Sequence, residues 1–445
     1  MKSIKMLLIL ITGLSISELT HAQTINLTLK EALKYAIENN QNAKKSRLDI
    51  EGGKQKTNEV RASALPQLNA NASLAYNPII GQLVTDMGSF KMGRPWNSAA
   101  AVQLDQQLFN QQVFTGLQAA KASENYYALN AELTEEQVIE QTANNYYQVL
   151  VNREQLSVVD TNIKNIKVIE KIITDQYNNG LAKKIDVDRI KVNLTNLETQ
   201  RQQIVNAIEQ LEIQLKLAMG MPISTSIVLP SSELRDINTL PLLENEIAVN
   251  NRTELKLLDV QRSLLNLQRK AYVSEYYPSL ALSANYSYTT MTNKFDPFQQ
   301  KSTAQGSVGY DASAIGLSLR VPIFSGFRTR SKVKQAEIDI LKAEEDTKAT
   351  TNALNAAYEN AKIQLKNSFN TIQSQRSNVR LAQEIYESTQ NNYNNGLASL
   401  TDLLDTENSL TQAQNSYNQA LLNYKVAEIQ LSKSKGELKS LINEQ

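Results

Sequence analysis

Tyr177-Asn178-Asn179-Gly180-Leu181-Ala182 stands inside a long stretch that has no proline and no other glycine. The same six residues return 216 positions later as Tyr393-Asn394-Asn395-Gly396-Leu397-Ala398. All nine prolines fall outside residues 96–221 and 323–445. Between 117 and 219 the only glycine is Gly180, and between 327 and 435 it is Gly396. Proline and glycine are the usual helix breakers. One breaker in such a run predicts two long helices meeting at one special point, and the chain carries that unit twice.

Working outward, the chain divides into two similar halves, 23–230 and 231–445, each a repeat of the same element order. Residues 1–22 read as a signal peptide: Lys2 and Lys5, an apolar run from Met6 to Leu14, and Thr20-His21-Ala22 before Gln23. The apolar run is too short to span a bilayer, and no later stretch of 18 apolar residues exists. A membrane role therefore requires β-strands. Removing 1–22 leaves 44 basic and 44 acidic residues, since the full chain has 46 and 45. That balance argues against nucleic acid as a partner. The single histidine, His21, leaves with the signal and no cysteine is present. Disulfides, Cys/His metal sites and His- or Cys-based catalysis are excluded, and no cofactor is implied.

Each half opens with a helix, expected over 27–64 and 246–276, which Pro66 and Pro278 end. The period then changes to two. Leu68, Ala70, Ala72, Leu74 and Tyr76 alternate with Asn69, Asn71, Ser73 and Ala75. After a Gly- and Pro-containing loop over 77–97, Ala100, Val102, Leu104 and Leu108 form a second apolar row, with Gln106 as its one polar break. The second half repeats this with Leu280 to Tyr288, a loop over about 291–312, and Ile315 to Ile323. The two β-hairpins thus cover about 68–109 and 280–324. Strands of about 9–11 residues suffice to cross a bilayer at a tilt. An antiparallel sheet packed on helices alternates in the same way, and that alternative stays open at this point.

Beyond each hexapeptide lies a heptad seam. Leu403, Leu410, Tyr417, Tyr424 and Leu431 recur every seven residues, with Thr406, Ala413, Ala420 and Ala427 three residues on. In the first half, the series runs Val187, Ile190, Leu194, Leu197, Arg201, Ile204, Ile208, Leu211, Leu215 and Ala218, with Arg201 the polar interruption. Such spacing is a coiled-coil seam. Helices over 111–176 and 327–392 would each be roughly 100 Å long at about 1.5 Å per residue. Four strands cannot close a barrel, and open edges are not tolerated in lipid. Membrane strands in this number therefore require an oligomer.

Over essentially its whole length the chain resembles the TolC-like outer-membrane efflux proteins. The likeness rests on the duplicated strand–loop–strand units and the tip segments Tyr177–Val187 and Tyr393–Leu403. It implies a mainly α fold with a membrane β-barrel: long antiparallel coiled-coil hairpins forming a periplasmic tunnel, and four strands per chain closing a twelve-stranded barrel as a homotrimer. It implies an outer-membrane exit duct, not an enzyme, of a tripartite efflux or type I secretion system, partnered by a periplasmic adaptor and an inner-membrane pump. In the family the tips form the entrance, and a tip glycine is followed six residues later by aspartate. Here that gives Gly180 with Asp186 and Gly396 with Asp402, continuing to Asp405. Tyr393 matches a tyrosine that helps tie the entrance shut, with Tyr177 its counterpart, while the usual arginine partner falls at Ala398. Gly180, Leu181, Gly396 and Leu397 match the adaptor-docking region. The same aspartates also start helices, where they serve as first-turn or capping residues. The alternative reading of the whole chain is a secreted coiled-coil scaffold or adhesin.

Overall fold

The computed structural model describes residues 25–230, 234, 251–297 and 307–443. The expected signal peptide, the boundary between the halves, the start of the 246–276 helix and the middle of the 291–312 loop lie outside them. The described chain forms two compact units, one holding Ser46–Ala131 and Thr253–Thr351, the other the remainder.

The first of these units is built on a sheet. Strands β2 (Gln67–Tyr76), β5 (Trp96–Asn110), β7 (Ser279–Thr292) and β8 (Ser307–Arg320) pair antiparallel in the order β2-β5-β7-β8. The register lines up the apolar rows of all four: Leu68 opposes Leu104, Leu104 opposes Ala284, and Ala284 opposes Ile315. The other face carries Asn69, Gln103, Asn285 and Ala314 in the same way. The apolar face is bare: Ile315 is 82 % and Leu317 68 % exposed. A sheet packed on helices would have covered that face, so the membrane reading of the alternation holds. β2 and β8 are edge strands within the chain.

Several expectations need correction here. β5, β7 and β8 have 15, 14 and 14 residues, longer than the expected 9–11, because they run on into the segments read as loops. The 77–97 loop holds its own hairpin, β3 (Gln82–Thr85) with β4 (Gly88–Lys91). β8 stops at Arg320, so Ile323 is not in a strand; Pro322 has no N–H to continue the ladder. The expected row through Leu108 is broken by a bulge between Gln107 and Phe109. The extra residue shifts the alternation, so Phe109 opposes Leu280 and rejoins the apolar row. Aromatic pairs mark both strand ends. Trp96 packs on Tyr76 at 4.6 Å and on Phe295 at 5.0 Å at the loop end. Phe109–Phe114 and Phe324–Phe327 lie at the helix end. This is the aromatic arrangement of a membrane barrel.

The same unit contains α5 (Thr253–Ser274), most of α2 (Gln41–Ala62), and the first parts of α3 (Gln111–Asn178) and α6 (Arg328–Asn394). Gly53 lets α2 approach Tyr127 of α3, where an added Cβ would meet the ring at 2.6 Å. Glu275 accepts from Lys332 at 2.6 Å and from Thr329 at 3.0 Å.

The other unit contains α1 (Leu29–Asn39), the later parts of α3 and α6, α4 (Lys184–Met219), α7 (Leu400–Lys435), α8 (Ser440–Asn443), and the parallel pair β1 (Ile25–Asn26) with β6 (Ile227–Val228). The single helix expected over 27–64 is two, α1 and α2, broken at Asn40, whose ψ of 133° is not helical. The Asn40 side chain explains the break. Its Oδ1 accepts from the N–H groups of Asn42 and Ala43, starting the second helix. Its Nδ2 donates to the Ala218 carbonyl at 2.7 Å. A capping asparagine with a tertiary partner outweighs the continuous apolar periodicity.

The heptad rows fall where the spacing places them. Val187, Ile190, Leu197, Ile208, Leu215 and Ala218 of α4 are buried, as are Leu403, Leu410, Tyr424 and Leu431 of α7. Arg201, the interruption, pairs with Asp160 of α3 at 2.6 Å across the helices. Three apolar clusters form. One gathers Leu27, α1, Ile227 of β6 and Tyr146, whose hydroxyl donates to the Leu27 carbonyl. A second holds Val187, Ile190, Tyr386, Leu400 and Leu403. A third is centred on Leu365, Ile372 and Tyr424.

Candidate functional site: the helix-hairpin tips

Both hexapeptides end a helix in the same way. The Gly180 N–H donates to the Tyr177 carbonyl and the Leu181 N–H to Gln176; the Gly396 N–H donates to Tyr393 and Leu397 to Asn392. This is the Schellman pair of bonds, which needs a left-handed residue. Gly180 and Gly396 supply φ of 74° and 73°. An added Cβ at either would meet nothing within 4 Å. Gly220 ends α4 by the same bonds, but there the Asn39 carbonyl oxygen lies 2.4 Å from such a Cβ. The tip glycines therefore stand in open space, and beside them Leu181 and Leu397 are 80 % and 79 % exposed. Two apolar side chains presented in this way are unpartnered within the described chain.

The helices that leave the tips start differently. Ser399 caps α7: its Oγ accepts from the Asp402 N–H, while the Asp402 carboxylate accepts from the Ser399 N–H at 2.9 Å. This reciprocal box holds the Asp402 carboxyl below its ordinary range, chiefly through the Ser399 hydroxyl and then its N–H. In α4 the equivalent N-cap is Lys183, which has no side-chain acceptor, so Asp186 is left out of any such box. Asp186 instead lies close enough to Tyr393 for its charge to be felt. Burial first, and Asp186 second, push the Tyr393 hydroxyl above its usual range. Arg189, one turn after Asp186, donates to Thr401 Oγ1 at 2.5 Å, tying α4 to α7 across 212 residues of sequence.

The structure thus bonds Arg189 to Thr401 and sets Asp186 within electrostatic reach of Tyr393, while Asp402 is engaged in its own cap. Asp405 is exposed one turn further along α7, and Tyr177 is exposed on α3. The sequence reading did not find Arg189, Thr401 or Ser399. Ser399-x-x-Asp402 is a legible capping-box pattern. Arg189 had no local signal, because its partner is distant in sequence. Among the described residues no group of His, Cys, Asp and Glu side chains could hold a metal ion.

A sequence profile described as outer membrane efflux protein matches residues 32–221 and 246–437. The chain is 25 % identical to outer membrane protein TolC of Escherichia coli K12, over 98 % of this chain and 87 % of that one. It is 21 % identical to the alkaline protease secretion protein AprF of Pseudomonas aeruginosa, over 90 % of this chain and 82 % of that one. In three dimensions it is similar to the open-state MtrE outer membrane channel of Neisseria gonorrhoeae, with a TM-score of 0.70, 17 % identity, and coverage of 92 % of this chain and 88 % of that one. The matched profile covers both halves of the sequence, and the chain belongs to the outer membrane efflux protein family.

Proposed function

We propose that the two tips form the periplasmic entrance of an outer-membrane exit duct made by three copies of this chain. The chain is a passive outer-membrane channel with its helices in the periplasm, and it has no catalytic role. The observation that carries the reading is the four-stranded sheet with a bare apolar face and two edge strands. Such a sheet is satisfied in lipid only when β8 of one copy pairs with β2 of the next, and three copies supply twelve strands. The alternative scaffold or adhesin has no use for two matched membrane hairpins.

At the entrance, Asp405 and Asp402 of three copies bring six carboxylates to one aperture, with Asp186 beside them. Such rings favour cations. The Arg189–Thr401 bond holds α4 to α7 and keeps that aperture narrow. Leu181 and Leu397, set out by Gly180 and Gly396, dock a periplasmic adaptor that couples the duct to an inner-membrane transporter. Planar-bilayer recording tests this. The purified trimer conducts with cation preference, and Asp402→Ala with Asp405→Ala weakens both the preference and block by multivalent cations. A soluble, non-conducting, elongated protein would sink the reading.

A further inference from the structure

The cluster behind the tips contains one side chain that does not belong in an apolar seam. Glu407 is 3 % exposed, and neither carboxylate oxygen has a hydrogen-bond partner. It sits one heptad after Leu400 and one before Gln414, itself followed by Leu421, so it occupies an inward position of α7 and not a solvated face. Its neighbours along the helix, Leu403, Leu404 and Leu410, all belong to the tip cluster. Gln414 Oε1 and Asn418 Nδ2, further along α7, are also buried without partners. A polar residue at a coiled-coil core position usually sets register through a bond to the facing helix. Asn162 of α3 does so nearby, donating to Thr411 at 2.6 Å. Glu407 does not, and an ionised carboxylate without donors is costly to bury.

We propose that Glu407 is a proton-operated lock on the packing of α7 behind the entrance: neutral, it stays in the cluster, and ionised, it draws water in and loosens the hold on the tip. The titratable group that feels Glu407 is Tyr386 of α6, whose hydroxyl is raised first by burial and then by the Glu407 charge. Burial alone raises Glu407, to about 8, and among the described residues no charged group of α3, α4 or α6 offsets it. The sign follows. A carboxyl raised on folding leaves stability complete below its unfolded value, roughly 4.3, and stability is lost as pH rises toward the folded value. The lock is therefore closed in acid and released in mild alkali. Asp402 is held below its ordinary range by Ser399, opposite in direction to Glu407.

This inference rests on the exit-duct reading, and one set of recordings separates the two. Conductance of the purified trimer is measured in planar bilayers from about pH 6 to about pH 9 for the native chain and for Glu407→Gln, the neutral isostere. The native chain should gain at least about twofold in conductance around the Glu407 transition, and Glu407→Gln should stay at the low-pH level throughout. Absence of any channel defeats the exit duct itself. A channel whose pH profile is flat, or is the same in both proteins, overturns the lock. Hydrogen exchange of the native trimer, corrected for intrinsic rates, covers the case of a variant that fails to assemble. Loss of protection over residues 400–411 at the higher pH supports the lock, and unchanged protection overturns it.

Discussion

The two tips end one helix identically and begin the next differently. Tyr177–Ala182 and Tyr393–Ala398 close with the same pair of backbone bonds on the same left-handed glycine. Three residues after each glycine they part. Ser399 starts α7 with a complete capping box that engages Asp402, whereas Lys183 starts α4 without one and leaves Asp186 to act on Tyr393. Equivalent aspartates in a duplicated chain thus differ, one capped and one not, because the residue three positions earlier differs. A cap fixes a carboxylate to its own helix, and without it the carboxylate is left free of that bond.

The largest effect that can break this comparison lies in what the tips share. Gly180→Arg or Gly396→Arg places a bulky cation on a left-handed residue beside the exposed leucine. Export should be abolished while the trimer still assembles, as read by an export assay and by trimer mobility. Full export by both variants would remove docking from the tips. Next comes Arg189→Ala, which unties α4 from α7. It should raise resting conductance several-fold, on the order of the one to two kcal/mol that a charge-assisted bond contributes. The same change at Lys183 or Lys184 should leave conductance as it was.

Smaller effects sharpen the difference between the caps. Ser399→Ala should cost about 1 kcal/mol, visible as a lower melting temperature of the helical part. Lys183→Ser should add a cap of about that size to α4 and draw Asp186 back to its own helix. Tyr393 should then titrate nearer its ordinary range in ultraviolet difference spectra. If Lys183→Ser leaves both melting temperature and Tyr393 unchanged, residue 183 does not decide where Asp186 points. The smallest expected effect is one of pH. The Asp402 carboxyl is held low, so the α7 box stabilises above the unfolded value, roughly pH 4, and its contribution is lost as pH falls through that region. Ser399→Ala should melt closer to the native chain at about pH 3 than at about pH 6.

Much of this was legible in the sequence because it is local or periodic. The Gly180 and Gly396 helix ends, the heptad rows of α4 and α7, and the alternation in β2, β5, β7 and β8 all follow from spacing. The break at Asn40 was not legible, because it needs the Ala218 carbonyl, 178 residues away. The bulge before Phe109 showed only as Gln106 breaking a row whose spacing runs on through Leu108, and the shift it makes is set by the pairing with β7. The N-terminal extension of β8 and the β3–β4 hairpin were hidden by turn-forming residues that mark loops in general. At the tips, the capping pattern at Ser399 was present, but Asp402 was read first through the aperture. The burial of Glu407 escaped because a glutamate on a long helix is ordinarily solvated, and only its heptad distance from Leu400 hinted otherwise.

One measurement goes most directly to the claim that these tips are the mouth of a membrane duct. The chain has no cysteine, so Asp405→Cys carries a single thiol per copy. Single-channel current through the purified trimer is recorded before and after a bulky, charged maleimide is added to each side in turn. A conducting channel is expected, whose current falls sharply when reagent is added from the side of the helices, as three adducts fill one aperture. A channel whose current is unchanged by complete labelling would contradict that claim.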